Sequence, residues 1–316
     1  MNTMVLPKVL MTDVIRSSSQ GDSHGGAYLI DLQRGEYEQV LDWDRIDINW
    51  EGRGQGRGLR GICFVGDEIY IAASDELFVF SQSFDIVRSY KNDYLHHCHE
   101  ICYDGHRYIY LSSTSFDSVL RFDTREERFD RGWWMRPMKL GTGVELRATV
   151  FDPNEPDGPP QGDHLHLNNV CYTNGVCMFS GLAMNMLASI IDDKVRPYAI
   201  VPPTTHNCQP LGKGVVMNST GQDALVMGDR SARVLKKFEY PRYKPEELTH
   251  ADIPGDYARQ AFGRGLCIDR GNKLLIAGSS PGTVSAFSAQ KGEMVTTIQV
   301  CDDLRNAPHG LEIWPY

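Results

Sequence analysis

Apolar residues along this chain alternate with polar ones in short runs and seldom recur at the spacing of a helical face. From Arg60, RGICFVG leads into EIYIAAS and ELFVFSQ; from His99, HEICYDG leads into RYIYLSSTSFDSVLRFD. HLNNVCYTNG from His166 leads into VCMFSGLAMNMLASI, HNCQPLGKG from His206 into VVMNSTGQDALVMGD, and RGLCIDRG from Arg264 into KLLIAGSSPGTVSAFS. Branched and aromatic residues on one face, polar residues on the other, and Gly, Asn or Asp at the breaks describe half-buried antiparallel strands joined by tight turns. A fourth strand follows in places, as at Ile86 to Tyr90 and Val295 to Val300.

The units begin with the same residue classes and recur at roughly 40 residues where nothing intervenes, the length of a four-stranded propeller blade. A β-sandwich would not require matched starts. His309 opens HGLEIW, an innermost strand with no successor, while Val9 to Ile15, Ala27 to Asp31 and Gln39 to Trp43 are three strands with no innermost strand before them. Joined in one blade, these pieces would close the ring and remove its open edges. The expected architecture is an all-β, six-bladed β-propeller over residues 1–316, with insertions at about 130–163 and 240–262. The first insertion carries Trp133, Trp134 and the turn-rich FDPNEPDGPPQGD, and it reads as a lid, since long loops in compact domains are usually functional.

With 32 Lys and Arg against 41 Asp and Glu, a net charge of −9 disfavours nucleic acid or an anionic membrane as partner. No apolar run reaches membrane-spanning length, and Met1 to Leu10 lacks the apolar core of a secretion signal, so a cytoplasmic location is expected. The eight Cys lie in apolar contexts such as GICF, EICY, NVCY and GLCI and read as buried free thiols. The run GRGQGRG from Gly52 resembles a phosphate-cradling loop in composition, but no helix follows it.

In a propeller the inner strands surround a central channel, so their first residues meet at one mouth. Here these are Arg60, His99, His166, His206, Arg264 and His309, which places four of the ten histidines at equivalent positions. Neutral imidazoles converging from rigid strands suit a divalent Zn, Fe, Cu or Mn ion and leave it an open position for water or substrate. His99, His166, His206 and His309 are therefore the expected metal ligands; the plainer alternative is that each bonds a neighbouring carbonyl and plugs the channel. Arg60 and Arg264 either orient a carboxylate, phosphate or other anion or tie blades together. With Asn168 and Trp133 they are the expected substrate contacts.

Six blades with inner-strand histidines and two inner-strand arginines resemble the peptidyl-hydroxyglycine amidating lyases, six-bladed propellers whose central zinc is held by three histidines with arginine nearby. That resemblance implies His99, His166 and His206 as ligands and Arg60 or Arg264 as substrate contacts. The four-His ring is also similar to that of the carotenoid cleavage oxygenases, where four histidines hold ferrous iron in a seven-bladed propeller. HLNNV, THN and HGLEIW resemble a group of uncharacterised bacterial propeller proteins, a likeness that implies the fold and no activity.

The function expected from these residues is a metal-dependent enzyme of lyase or hydrolase type, acting on a small anionic or polar molecule at the channel. The alternatives are an oxygenase with His-ligated iron or copper, and a non-catalytic propeller that binds a ligand or protein.

Overall fold

The computed structural model of the chain describes residues 5–18, 21–44, 58–140, 143–252 and 259–316, so most of the glycine-rich run from Gly52 lies outside the described residues. The alternating segments become strands. β1 (Lys8–Ile15), β2 (Gly26–Asp31) and β3 (Glu36–Asp42) come first. A sheet of β4 (Ile62–Val65), β5 (Glu68–Ala72), β6 (Glu76–Phe80) and β7 (Ile86–Lys91) follows. The next contains β8 (Ile101–Tyr103), β9 (Tyr108–Ser113), β10 (Ser118–Asp123), β11 (Arg128–Leu140) and β12 (Gly143–Phe151). Then come β13 (Leu167–Thr173), β14 (Val176–Gly181), β15 (Met186–Ile191) and β16 (Lys194–Ile200). They are followed by β17 (Thr205–Leu211), β18 (Gly214–Ser219), β19 (Ala224–Gly228) and β20 (Val234–Glu239). β21 (Gly263–Asp269), β22 (Leu274–Ser279), β23 (Thr283–Ser288) and β24 (Met294–Gln299) form the last consecutive sheet. β25 (Asn306–Ile313) returns to β1, giving a sheet ordered β25-β1-β2-β3. The six sheets are the blades of a β-propeller, with the expected mixed blade among them.

Local chemistry sets the connections. Between β13 and β14 the two-residue turn Asn174-Gly175 has φ of 51° and 79°, the doubly left-handed geometry that matches strand twist and that Asn-Gly adopts most readily. Outer strands such as β3 and β7 are largely exposed and carry Glu36 and Glu38, or Arg88 and Lys91, and charged edges of this kind discourage sheet-to-sheet association.

The first insertion is largely sheet: its residues extend β11 and form β12, a fifth strand paired with β11 from Gly132↔Phe151 to Leu140↔Gly143, while 152–163 are turn and irregular backbone. Backbone groups that a mobile lid would leave to water are spent in this ladder. The second insertion holds a short 3-10 turn, Pro245–Glu247, and residues 253–258 of it lie outside the described residues. All eight Cys are free thiols, with Cys102 and Cys301 half-buried and the others buried, as their apolar contexts imply. Among the described residues no helix is long and apolar enough to cross a membrane.

The chain divides into two compact units. One comprises Met1–Ile62, Met217–Met227 and Val234–Tyr316, the other Cys63–Val216 and Gly228–Arg233. In the latter, Tyr70, Leu77, Val79, Ile109, Leu120 and Phe122 form one core, and Leu167, Val170, Phe179 and Ala188 pack with Trp133 in another.

In the former unit, Val9, Met11, Ile30, Ile276, Val284 and Leu311 pack together. The closing blade there is tied by polar contacts as well. Asp13, fully buried, accepts from the Gly26 amide at 2.6 Å and from the Asn306 Nδ2 at 2.5 Å. The Thr12 hydroxyl donates to the Arg60 carbonyl and accepts from the Gly310 amide at 3.0 Å. A Cβ on Gly310 would lie 2.3 Å from the Arg60 carbonyl oxygen and 2.6 Å from the Thr12 hydroxyl, so no side chain fits there. Gly310→Ala is therefore expected to destabilise the protein by about 1–3 kcal/mol, the usual cost of overpacking, read as a lower midpoint in urea.

Candidate functional site

In the unit of Cys63–Val216, three inner-strand starts carry the histidines. His99 stands just before β8, His166 just before β13, and His206 is the second residue of β17. The structure brings His99 and His166 together, with ring centroids 5.2 Å apart at an interplanar angle of 61°. His206 is buried, 3% exposed.

Each of the paired rings is held through Nδ1. The His99 Nδ1 lies 2.8 Å from the His97 carbonyl and 2.8 Å from the Thr114 hydroxyl. Thr114 gives its own proton to the Leu167 carbonyl at 2.5 Å, so both neighbours act as acceptors and His99 Nδ1 must carry the hydrogen. The lone pair is thereby fixed on Nε2. The His166 Nδ1 lies 3.0 and 3.1 Å from the two carboxylate oxygens of Asp163, which assigns the same tautomer by the same reasoning.

The segment carrying Asp163 and His166 is itself anchored. Asp117, in a left-handed turn after the 3-10 helix Thr114–Phe116, accepts from the His164 and Leu165 amides at 2.8 and 2.9 Å. Burial raises the Asp117 pKa, opposed by those two amide hydrogen bonds. The Gly162 amide donates to the Ser115 carbonyl at 2.7 Å.

Asn168 and Trp133 stand in packing roles. The Asn168 amide donates to the Thr205 carbonyl at 3.2 Å and so ties β13 to β17. Trp133 is 4% exposed, buried on β11, with its indole N–H on Asp193 at 2.8 Å. Asp163 and Thr114 complete the site and carry no inner-strand signature; the signal for Asp163 was its place three residues before His166.

In the unit of Met1–Ile62, Met217–Met227 and Val234–Tyr316, the inner-strand residues are Arg60, Arg264 and His309. The His309 Nδ1 lies 3.0 Å from the Ala307 carbonyl, and its Nε2 lies 2.6 Å from the Arg264 guanidinium. A carbonyl accepts and a guanidinium donates, so His309 is a neutral imidazole with Nε2 as acceptor. Burial, and then Arg264 and Arg60, keep its pKa well below the usual imidazole value. Both ring nitrogens of His309, expected to be a metal ligand, are thus engaged within the protein. Among the described residues no group of three or more His, Cys, Asp or Glu side chains is placed to hold a metal ion.

The sequence matches no protein-family model and no curated protein. Among solved structures, a protein of unknown function from Bacteroides caccae is similar to this chain at a TM-score of 0.55 and 11% identity, over 96% of this chain and 99% of that one. A virginiamycin B lyase from Staphylococcus aureus aligns at a TM-score of 0.45 and 13% identity, over 78% of this chain and 71% of its own. A streptogramin B lyase aligns at 0.49 and 10%, over 80% and 86%. The two lyase alignments are too loose to carry an argument, and at 11% identity the Bacteroides likeness shows the propeller fold alone.

Proposed function

We propose that the protein is an enzyme of lyase or hydrolase type that moves a proton on a small polar molecule at His166, with His99 beside it. The observation that supports this most is the carboxylate–imidazole pair of Asp163 and His166. Asp163 holds Nδ1–H, leaves Nε2 as the base, and would stabilise the imidazolium formed when that nitrogen takes a proton. His99 presents a second Nε2 acceptor from a ring fixed by Thr114 and the His97 carbonyl, and the protonated His166 would return the proton it took to the leaving group. The anchored turn through Asp117 keeps the pair in place without substrate.

Two adjacent imidazole nitrogens also suit a divalent transition ion, which would act as Lewis acid or lower the pKa of bound water. Zn, Fe, Cu and Mn are the metals this donor chemistry admits. Metal analysis of protein purified without chelator separates the two forms of the proposal: about one ion per chain, lost in His99→Ala and in His166→Ala, supports the metal form, and a metal-free active protein supports the form without it.

The test of the function itself is turnover across a panel of esters, amides and molecules with a leaving group β to an acidic C–H. His166→Ala should lower the rate by roughly 10²–10⁴-fold, the usual contribution of a general base, and Asp163→Asn should lower it less. A folded His166→Ala protein that turns over at the wild-type rate would refute the assignment. A folded wild type that binds a panel member without converting it would support a non-catalytic binding propeller.

A further inference from the structure

The geometry points to a binding site for an organic cation, an alkylammonium head group, in the cleft that Tyr110, Trp133 and Tyr172 line together with Asp192 and Asp193. The cleft lies in the unit of Cys63–Val216 and Gly228–Arg233, and it stands independently of the chemistry proposed at His166. Tyr172 is near the far end of β13, about 20 Å from His166 along an extended strand. Tyr110 comes from β9 and Trp133 from β11. Gly175, of the Asn174-Gly175 turn, borders the cleft, as does Asp192-Asp193, a two-residue turn joining Ile191 of β15 to Lys194 of β16 with φ of 50° and 59°. Asp accepts this doubly left-handed geometry less readily than Asn-Gly does, so the second turn carries carboxylates at a conformational cost. The cleft measures about 160 Å³, below the ~300–1,000 Å³ of sites that enclose drug-sized ligands, so it admits a head group and leaves the rest of a ligand outside.

The rings form one continuous aromatic surface. Tyr110 and Tyr172 stack with centroids 5.8 Å apart at 15°, and Tyr110 and Trp133 with centroids 6.1 Å apart at 27°. The negative faces of such rings attract cations, and the Trp133 end shows it: Arg131 and Arg121 lie 5.6 and 5.8 Å from its centre. Tyr110 and Tyr172 are half-buried, and among the described residues no cation lies over either ring. Charge balance favours the same ligand. Arg121 is matched by Asp130 at 2.8 and 2.9 Å, and Arg131 by Asp193, which also accepts the Trp133 indole N–H at 2.8 Å. The exposed Asp192 carboxylate has no ion pair among the described residues. Asp104 accepts from the His106, Arg107 and Tyr108 amides at 2.8, 2.8 and 3.0 Å and has no cationic partner there either. It is close enough that, after burial itself, it raises the Tyr172 pKa. Two uncompensated carboxylates beside neutral π faces repel an anion, and a neutral ligand would leave their charge unanswered. An organic cation is attracted by the carboxylates and the rings at once.

In calorimetric titration the full-length protein should bind choline, and should bind the neutral alcohol in which carbon replaces choline's nitrogen roughly tenfold more weakly or worse, since the two share a shape and differ in charge. A peptide carrying trimethyllysine presents the same head group on a protein chain; tighter binding of choline identifies a small molecule as the ligand, and tighter binding of the peptide identifies a side chain. Tyr172→Leu keeps apolar bulk without the π face and should weaken choline binding roughly three- to thirtyfold, while Tyr172→Phe should bind nearly as wild type. Asp192→Asn, which a left-handed turn accepts, should weaken binding roughly two- to fivefold at low salt and by less at high salt. Should Tyr172→Leu fail to fold, the Asp192 variant and the comparison of choline with its neutral isostere on the wild type decide. Absence of binding by choline and peptide alike, equal binding of the neutral alcohol, or undiminished binding by folded Tyr172→Leu would each overturn the site, as would a neutral hexose bound where choline is not.

Discussion

Removing His309–Tyr316 should leave a protein that does not unfold cooperatively and collects in the insoluble fraction. The deleted residues hold the pairs Val9↔Ile313, Leu10↔Glu312 and Met11↔Leu311, so half of β1 loses its partner along one edge. Val9, Leu10 and Met11 are each fully buried, and exposing such side chains costs about 1.5–3 kcal/mol apiece. Three of them together approach the ~5–15 kcal/mol that stabilises a whole domain. The open edge of β1 would also offer its unpaired amides and carbonyls to other chains. Removing Trp314–Tyr316 alone is the control; it gives up the Trp314 amide bond to the Lys8 carbonyl at 3.0 Å and should lower the urea midpoint only modestly. A soluble, monodisperse His309–Tyr316 deletion with a single steep urea transition would show that the mixed blade is dispensable.

Asp13→Asn should stabilise the protein more as pH rises, with the gain concentrated between about pH 4 and 7. Burial, opposed by the bonds from Asn306 and Gly26, raises the Asp13 pKa from 3.8 to about 7. The native chain therefore holds this proton more tightly than the unfolded chain does. Stability from the group is complete below about pH 4 and is lost as pH climbs through 7, at ~1.4 kcal/mol per pH unit, on the order of 4 kcal/mol in all. Asn306 Oδ1 is buried without a partner among the described residues, and turning that amide over lets it accept from a protonated Asp13 or from an asparagine in its place. Glu312, raised by burial to about 8, acts in the same direction at slightly higher pH, and Glu312→Gln should flatten that remainder. His309 works oppositely below about 6.5 because the fold keeps it neutral, so the comparison to make is variant against wild type at each pH. Asp123, held at about 2 chiefly by its bond with Arg107, does not enter this window. Parallel pH curves for wild type and Asp13→Asn would refute the account.

The blades were legible because their strands are short runs of largely buried residues bounded by Gly, Asn and Asp turns and opened by matched residue classes, as in β13 and β22. β12 was not, and the reason is physical. Its residues do alternate, with Val144, Leu146, Ala148 and Val150 against Glu145, Arg147 and Thr149, but a fifth, outermost strand has no counterpart in the roughly 40-residue repeat and runs straight into the turn-rich FDPNEPDGPPQGD, so the segment reads as part of an insertion. The same holds for the sites. His99 and His166 could be picked out from equivalent strand starts, whereas Thr114 comes from a turn after β9 and Asp163 from the segment before β13.

The bond between Asp13 and Asn306 spans 293 positions of sequence, and this sets a clock on biosynthesis. At roughly 5–20 residues per second the ribosome needs about 15 to 60 s to make the chain between them. Throughout that interval β1 has been synthesised and its inner partner has not, so the nascent protein carries an incomplete sheet for far longer than the microseconds a hairpin needs to form. Later blades, whose strands are consecutive, can assemble as they emerge. Faster elongation should shorten this exposure and slower elongation prolong it, making soluble yield depend on translation speed in a way that a propeller closed entirely within consecutive strands would not show.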